Sequence, residues 1–214
     1  MIRVAVLRGG PSEEFDVSLV TGASVLEALQ GERYKGKYQP IDVVISKNGE
    51  WLRGGVAKEP AEILSSVDVA FLGLHGAYGE DGTVQRLLER MRVPYTGSGP
   101  FQSAIALNKV MTKDALRDKG VPMARHMVVS KDAKHNLYGV VDSIATLLGY
   151  KYVLKPMSGG SSIGTVVIDN REMLLRELIK SLEDYDEVLI EEFIGGKEAT
   201  CGVVNNFRNE SLYS

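Results

Sequence analysis

Across residues 1 to about 96, short and almost wholly apolar runs alternate with amphipathic segments, and that alternation limits the fold more than any other feature. "IRVAVL" reads as a strand buried on both faces of a parallel sheet, and "QPIDVVIS" and "VDVAFLGLH" add two more apolar strands. The turn "RGGPSEEFD" leads from the first run into a helix with Leu19, Ala23 and Leu26 on one face, a βα opening. "NGEW" marks a turn, "GTVQRLLERM" is a helix with Val84, Leu87, Leu88 and Met91 inward, and "VPYTGSG" reads as a last strand ending in a glycine turn. An α/β unit with an open parallel sheet of about four strands flanked by helices is the economical fold for residues 1–100.

The pattern changes near residue 100, where the domain boundary is expected, and 214 residues suit two small units. "SAIALNKVMTKDALRDKGVP" predicts one helical stretch closed by Gly120 as a C-cap. Strand "ARHMVVS", a helix over 139–148, strand "KYVLKP", a small-residue loop and strand "GTVVI" follow. Asp169 and Glu172 resemble a capping box for a helix with Leu174, Leu178 and Leu182 on one face. "EVLIEEFI" and "EATCGVV" read as two further strands joined by "GGK", so residues 101–214 form an α+β region. "NNFRNE" reads as a hairpin turn, and "SLYS" as a returning strand that stops at once. An edge left open in this way leads to the expectation that the chain is incomplete.

Composition narrows the chemistry. The net charge of −3 spreads over 25 basic and 28 acidic residues without long blocks, which argues against a nucleic-acid groove or a membrane-binding face. No apolar stretch approaches the roughly 20 residues of a membrane helix, and the N-terminus lacks a secretory core, so the cytoplasm is the expected location. Cys201, the only cysteine, excludes an intrachain disulfide and reads as a buried, inert thiol in "ATCGVV".

Three stretches could carry chemistry. In "YKYVLKPMSGGSSIGTVVI", Lys155 sits at the end of an apolar strand ahead of glycines and two hydroxyls, a composition suited to closing over phosphate oxygens. It is not a Walker A loop, because the lysine precedes the glycines and a strand follows. One lysine–phosphate pair at about 4 Å is worth about 4 kcal/mol before desolvation at an effective dielectric near 20. The competing reading is a surface hairpin with a snorkelling lysine. In "HGAYGEDG", His75 falls at the carboxyl end of a parallel strand, where open α/β sheets place ligand sites, while Asp81 is placed to cap the next helix. In "RGGPSEEFDVS", Glu14 is either a solvated acid or a carboxylate held for a ligand ammonium. Lys109, Glu191 and Glu198 are weak signals singly.

Together, "LRGGPSEEFDVSLVTG", "LHGAYGEDGTVQRLLERMRVPYTGSG", "NKVMTKDAL", "VLKPMSGGSSIGT" and "VLIEEFIGGKEAT" resemble, in order and spacing, the D-alanine:D-alanine ligases of the ATP-grasp superfamily. The resemblance runs from Ile2 to Val204. It implies an N-terminal pre-ATP-grasp unit followed by an incomplete ATP-grasp module, and ligation of two D-alanines through an acyl phosphate for peptidoglycan precursors. It also implies the roles. Glu14 would receive the amino group of the first D-alanine, with Ser18 beside it and His75 near the same substrate. Lys109 and Lys155 would contact nucleotide phosphates, and the loop of Ser161 and Ser162 would cover them, Ser161 also helping to order the site. Glu191, Phe193 and Ile194 would frame adenine, and Glu198 would bond the ribose. ATP and Mg²⁺ are the implied cofactors, the metal ligands lying outside these residues, and such ligases commonly pair as homodimers through the N-terminal region. Two departures are Asn108 ahead of Lys109, where the family often has Asp, and Gly159, where some members carry an acid. The chain alone is expected to turn over little. Another ATP-grasp carboxylate–amine ligase and a non-catalytic nucleotide-binding remnant are the alternatives.

Overall fold

In a computed structural model that describes residues Met1–Ser214, β1 (Ile2–Gly9) runs through the first core with Val4 to Leu7 buried. After α1 (Phe15–Gln30), β2 (Tyr38–Ile45) pairs with β1 in parallel, from Ile2 opposite Tyr38 to Gly9 opposite Ile45. β3 (Trp51–Arg53) and β4 (Val56–Ala57) then fold back antiparallel. α2 (Pro60–Leu64) leads to β5 (Val69–Leu72), parallel to β1 on its other side, and α3 (Thr83–Arg90) follows. The sheet order is β4-β3-β2-β1-β5.

The expected all-parallel sheet is therefore parallel only at β2-β1-β5. Gly49 (φ 83°) and the pair Gly54 and Gly55 (φ 59° and 78°) adopt left-handed conformations that reverse the chain twice within a few residues. That makes residues 51–57 an antiparallel edge that follows the expected turn at "NGEW". At the other edge "VPYTGSG" is not a strand but a single bridge between Ala70 and Tyr95. Pro94 has no N–H for a ladder, and Gly97 (φ 100°) turns the chain away.

α1 lies on the sheet by a different face from the one expected. Ser18 and Gly22 are buried, Leu19 and Leu26 are half-buried, and Ala23 is exposed. Gly22 permits the close approach: a Cβ there would stand 2.5 Å from Arg8 Cδ and 2.6 Å from Arg8 Cβ. The smallest residues of the helix, not its leucines, set its seat.

The predicted single helix after residue 100 is two, α4 (Pro100–Leu107) and α5 (Lys109–Leu116), broken at Asn108. Asn108 is extended (φ −88°, ψ 112°), and its Oδ1 accepts from the N–H groups of Val110 and Met111 at 3.1 and 3.0 Å, an N-cap that starts α5 afresh. Beyond it come β6 (His126–Ser130), α6 (Leu137–Leu148), β7 (Tyr152–Pro156), β8 (Val166–Ile168), α7 (Arg171–Asp184) and β9 (Glu187–Glu192). The four strands form an antiparallel sheet ordered β6-β9-β7-β8. Leu174, Leu178 and Leu182 of α7 are fully buried with Ile144 and Leu148 of α6, a second hydrophobic core separate from the one under β1. The cap of α7 is Asn170, whose Oδ1 accepts from Met173 N–H at 2.8 Å, in place of the expected Asp169 box.

β10 (Val204–Phe207) and β11 (Glu210–Tyr213) pair only with each other, turning at Arg208 and Asn209 (φ 52° and 64°). "NNFRNE" is thus a hairpin turn, but "EATC" is irregular and exposed. Cys201 is exposed as well, against the expectation of a buried thiol, because no sheet covers it. No helix is long and apolar enough to cross a membrane.

Gly22→Ala is expected to cost about 1–3 kcal/mol by overpacking against the Arg8 stem, and Ala23→Ser to stay within about 0.5 kcal/mol. Urea unfolding of the two variants beside the parent chain measures both.

Candidate active site

The loop after β7 is held from outside itself. Lys109 N–H donates to the Met157 carbonyl at 2.9 Å, Asn108 bridges to Ser158, and Lys109 Nζ donates to the Gly159 carbonyl at 2.9 Å. The break between α4 and α5 is therefore the anchor of the loop. Asn108 acts as cap and bridge without a charge, and Gly159 (φ 109°) is tied through its carbonyl, not through a side chain. The N–H groups of Gly159, Gly160, Ser161 and Ser162 make no hydrogen bond within the chain. Ser161 and Ser162 hold left-handed φ values of 51° and 57°, strain on the order of 1 kcal/mol each or more.

Ser161 Oγ donates to Glu14, which lies at the start of α1 in the other half of the molecule. Glu14 reaches the loop over Gly76 (φ 69°), where a Cβ would stand 2.9 Å from Glu14 Oε2. His75, just beyond β5, shares a hydrogen bond of 2.9 Å between Nε2 and Thr21 Oγ1, and its Nδ1 is 3.7 Å from Glu80 Oε1. Glu80 in turn accepts from Gly76 N–H at 3.0 Å. Asp81 accepts from the N–H groups of Tyr78 and Thr83; burial pushes its carboxyl up, but these bonds outweigh burial and hold it below the usual aspartate range.

Ser18 does not face this cleft. It is fully buried, accepts from Gly9 N–H at 2.8 Å and donates to the Gly73 carbonyl at 2.7 Å, so its hydroxyl ties the ends of β1 and β5 together. The hydroxyl is turned inward because both sheet tips need a hydrogen-bond partner there.

Two clefts flank the loop and share Gly159, Gly160 and Ile163. One, of about 570 Å³, is lined by Ser12, Glu13, Glu14, Lys47, Gly76 and Tyr185. The other, of about 430 Å³, is lined by Lys109, Lys155, Ser161, Ser162, Glu191, Phe193, Ile194 and Glu198. Glu14 thus lines one cleft and the two lysines with the β9 residues the other, while His75 lines neither and stands next to Gly76 of the first. In the second cleft Lys155 Nζ donates to Glu191 Oε2 at 2.5 Å, and Lys113 Nζ stands 2.7 Å from Glu191 Oε1. Burial would raise the Glu191 carboxyl, but hydrogen bonds from Lys113 and Lys155 prevail and hold it below the usual glutamate range. Burial, then the charge of Lys155, pull the Lys109 ammonium below the usual lysine range, with Glu191 opposing. Lys151 Nζ lies 4.0 Å from the centroid of the half-exposed Phe193 ring. Glu198 lies on the irregular stretch after β9 and is exposed.

Three residues here escaped the sequence reading: Thr21, Lys47 and Lys113. Only Lys113 left a signal, standing one helical turn after Lys109 on the same side of α5.

Unpaired N–H groups, open glycines and two ammonium groups fit an anion such as a phosphate chain. No group of three or more His, Cys, Asp or Glu side chains stands close enough to hold a metal ion, so these residues do not by themselves fit a magnesium site.

An α/β unit with its strand-end site, followed by an antiparallel sheet carrying this loop, is the arrangement of the ATP-grasp ligases. The family model for the D-ala D-ala ligase N-terminus matches residues 3–64 and 53–98, and that for the D-ala D-ala ligase C-terminus matches residues 115–213. The chain belongs to the D-alanine–D-alanine ligase family. It is 39% identical over 204 residues to the D-alanine–D-alanine ligase of Geobacter sulfurreducens, covering 95% of this chain and 58% of the relative. The D-alanine–D-alanine ligase structure from Coxiella burnetii superposes with a TM-score of 0.82 at 25% identity, covering 97% of this chain and 68% of that one. The Bacillus anthracis ligase complexed with ATP gives a TM-score of 0.73 at 32% identity, covering 92% and 60%. The chain spans 58 to 62% of the length of the first curated relatives it matches.

The folded-state value of Glu191 lies below that of the unfolded chain, so its contribution to stability is complete above the ordinary glutamate value. It is lost as pH falls through the lowered folded value. Urea unfolding followed downward from about pH 6, past the ordinary value near 4.3, is expected to show a smaller acid-dependent loss in Glu191→Gln than in the parent. Parallel curves would refute the assignment.

Proposed function

We propose that this chain carries the nucleotide-binding and first-substrate-binding parts of an ATP-dependent ligase that joins two D-alanines into D-alanyl-D-alanine for peptidoglycan precursors. Residues 1–100 are the substrate-binding unit and residues 101–214 the nucleotide-binding region. The observation that carries the reading is the placement of one loop between two clefts, tied to Lys109 on one side and to Glu14 on the other.

Each side has a distinct task. Lys109, Lys155 and the free N–H groups from Gly159 to Ser162 would take the phosphate oxygens of ATP, while Phe193 and Ile194, with the Glu191 segment of β9, would frame adenine and Glu198 would bond the ribose. ATP supplies the phosphoryl group that activates a carboxylate, and positive charge fixed beforehand is what lowers the barrier to bringing two anions together. Glu14 would bind the D-alanine ammonium, with His75 steadied beside it by Thr21 and Glu80. Ser161, bonded to Glu14 from the phosphate loop, would keep amino acid and nucleotide in one register. Ser18 supports the floor. Since these residues do not fit a magnesium site, no step is assigned to a metal. A ligase that consumes ATP and D-alanine would act in the cytoplasm, and exposed Val17 and Val20 of α1 are the apolar surface a homodimer would cover.

Calorimetric titration with ATP is expected to show binding that weakens at least about tenfold in Lys155→Met, on the scale of losing a charge-assisted contact. D-alanine observed by NMR is expected to bind the parent chain and not Glu14→Gln. No ATP binding by the parent would overturn the nucleotide half; equal D-alanine binding by both would overturn the substrate half.

A further inference from the structure

Lys113 lines neither cleft, yet its ammonium is almost buried, with 12% of the side chain exposed. It donates to the Ala124 carbonyl at 2.9 Å and stands 2.7 Å from Glu191 Oε1. Glu191 Oε2 is taken by Lys155 at 2.5 Å, and only 9% of the Glu191 side chain is exposed. One buried carboxylate thus serves two ammonium groups, one on each oxygen, and the two cations differ in access. Lys155 lines the cleft and is 29% exposed; Lys113 is behind the carboxylate, against the chain that enters β6.

We propose that Lys113 is a positioning residue of the nucleotide cleft: by holding Glu191 against the wall at Ala124, it leaves Lys155 free to exchange that carboxylate for a ligand phosphate oxygen. The inference rests on the nucleotide reading above and deepens it. A buried carboxylate with a single cation cannot release it without being left unpaired, which is strongly unfavourable. With Lys113 present, Glu191 keeps a partner when Lys155 swings to the ligand. Without Lys113, Lys155 becomes the sole counter-ion of Glu191, and every phosphate contact it makes must first break that pair.

The test titrates the full 214-residue chain with ATP and, separately, with adenosine, and reads the ratio of the two affinities. Adenosine reports the cleft wall without the phosphate contacts. Lys113→Met is expected to lower the ratio at least about tenfold, the direction of a buried charge pair losing one member. Lys113→Arg should retain it. In Lys113→Met/Glu191→Gln the carboxylate that traps Lys155 is gone, so the ratio should recover, an outcome that loss of packing alone would not produce. If Lys113→Met does not fold, Lys113→Gln carries the same comparison, since it keeps a polar side chain that brings no charge. An unchanged ratio in the uncharged variant, or no recovery in the double variant, overturns the proposal. If the parent binds neither ATP nor adenosine, the nucleotide reading itself fails and this inference falls with it.

Discussion

A loop that makes few hydrogen bonds of its own must be held by what surrounds it, and most of this site is arranged around that constraint. From Gly159 to Ser162 the backbone gives its N–H groups to nothing within the chain, and such groups need a partner or water. The loop keeps its shape because Asn108 breaks a helix at the right height. The break lets the Lys109 N–H reach the Met157 carbonyl and the Lys109 side chain reach Gly159. Structure and function meet in that residue, since the lysine that fixes the loop also faces the cleft the loop covers.

The same loop joins two halves that have separate hydrophobic cores. Ser161 stands in a left-handed conformation, unfavourable for a residue with a side chain, and from there its hydroxyl reaches Glu14. Behind the loop, the Lys113–Glu191–Lys155 group is a compact charge store. Burial works against the carboxylate and the lysines overcome it, so the wall holds an ionised acid where solvent access is small.

Sequence periodicity locates elements well where the apolar pattern is long, as at strands β1 and β7 and helix α7. It failed where the decisive residues were small or polar. α1 sits on Ser18 and Gly22 because those residues permit the closest approach, and hydrophobic periodicity cannot register an absence of side chain. Asn108 and Asn170 end or begin helices by side-chain bonds to specific N–H groups, while the surrounding residues suit a helix either way. Of the candidate site residues, Glu14, Lys109, Lys155 and Ser161 are legible through motifs and stand at the shared loop or its clefts, and His75 stands beside Gly76 of the first cleft. That the Ser18 hydroxyl turns inward to Gly9 and Gly73 is not legible, because a motif conveys proximity in sequence and not the direction of a hydroxyl.

By itself, the sequence determined the class of each half, the family to which the chain belongs and most of the charged groups at the site, since these follow from local pattern and from residue types at set spacings. Only the tertiary structure decided that β3 and β4 form an antiparallel edge and that Cys201 lies in the open. It alone seated Ser18 beneath the floor and set Lys113 behind Glu191. Each of these depends on which surfaces are brought together over long separations in the chain. Burial and pairing of that kind are properties of the assembled neighbourhood, which no single stretch of sequence contains.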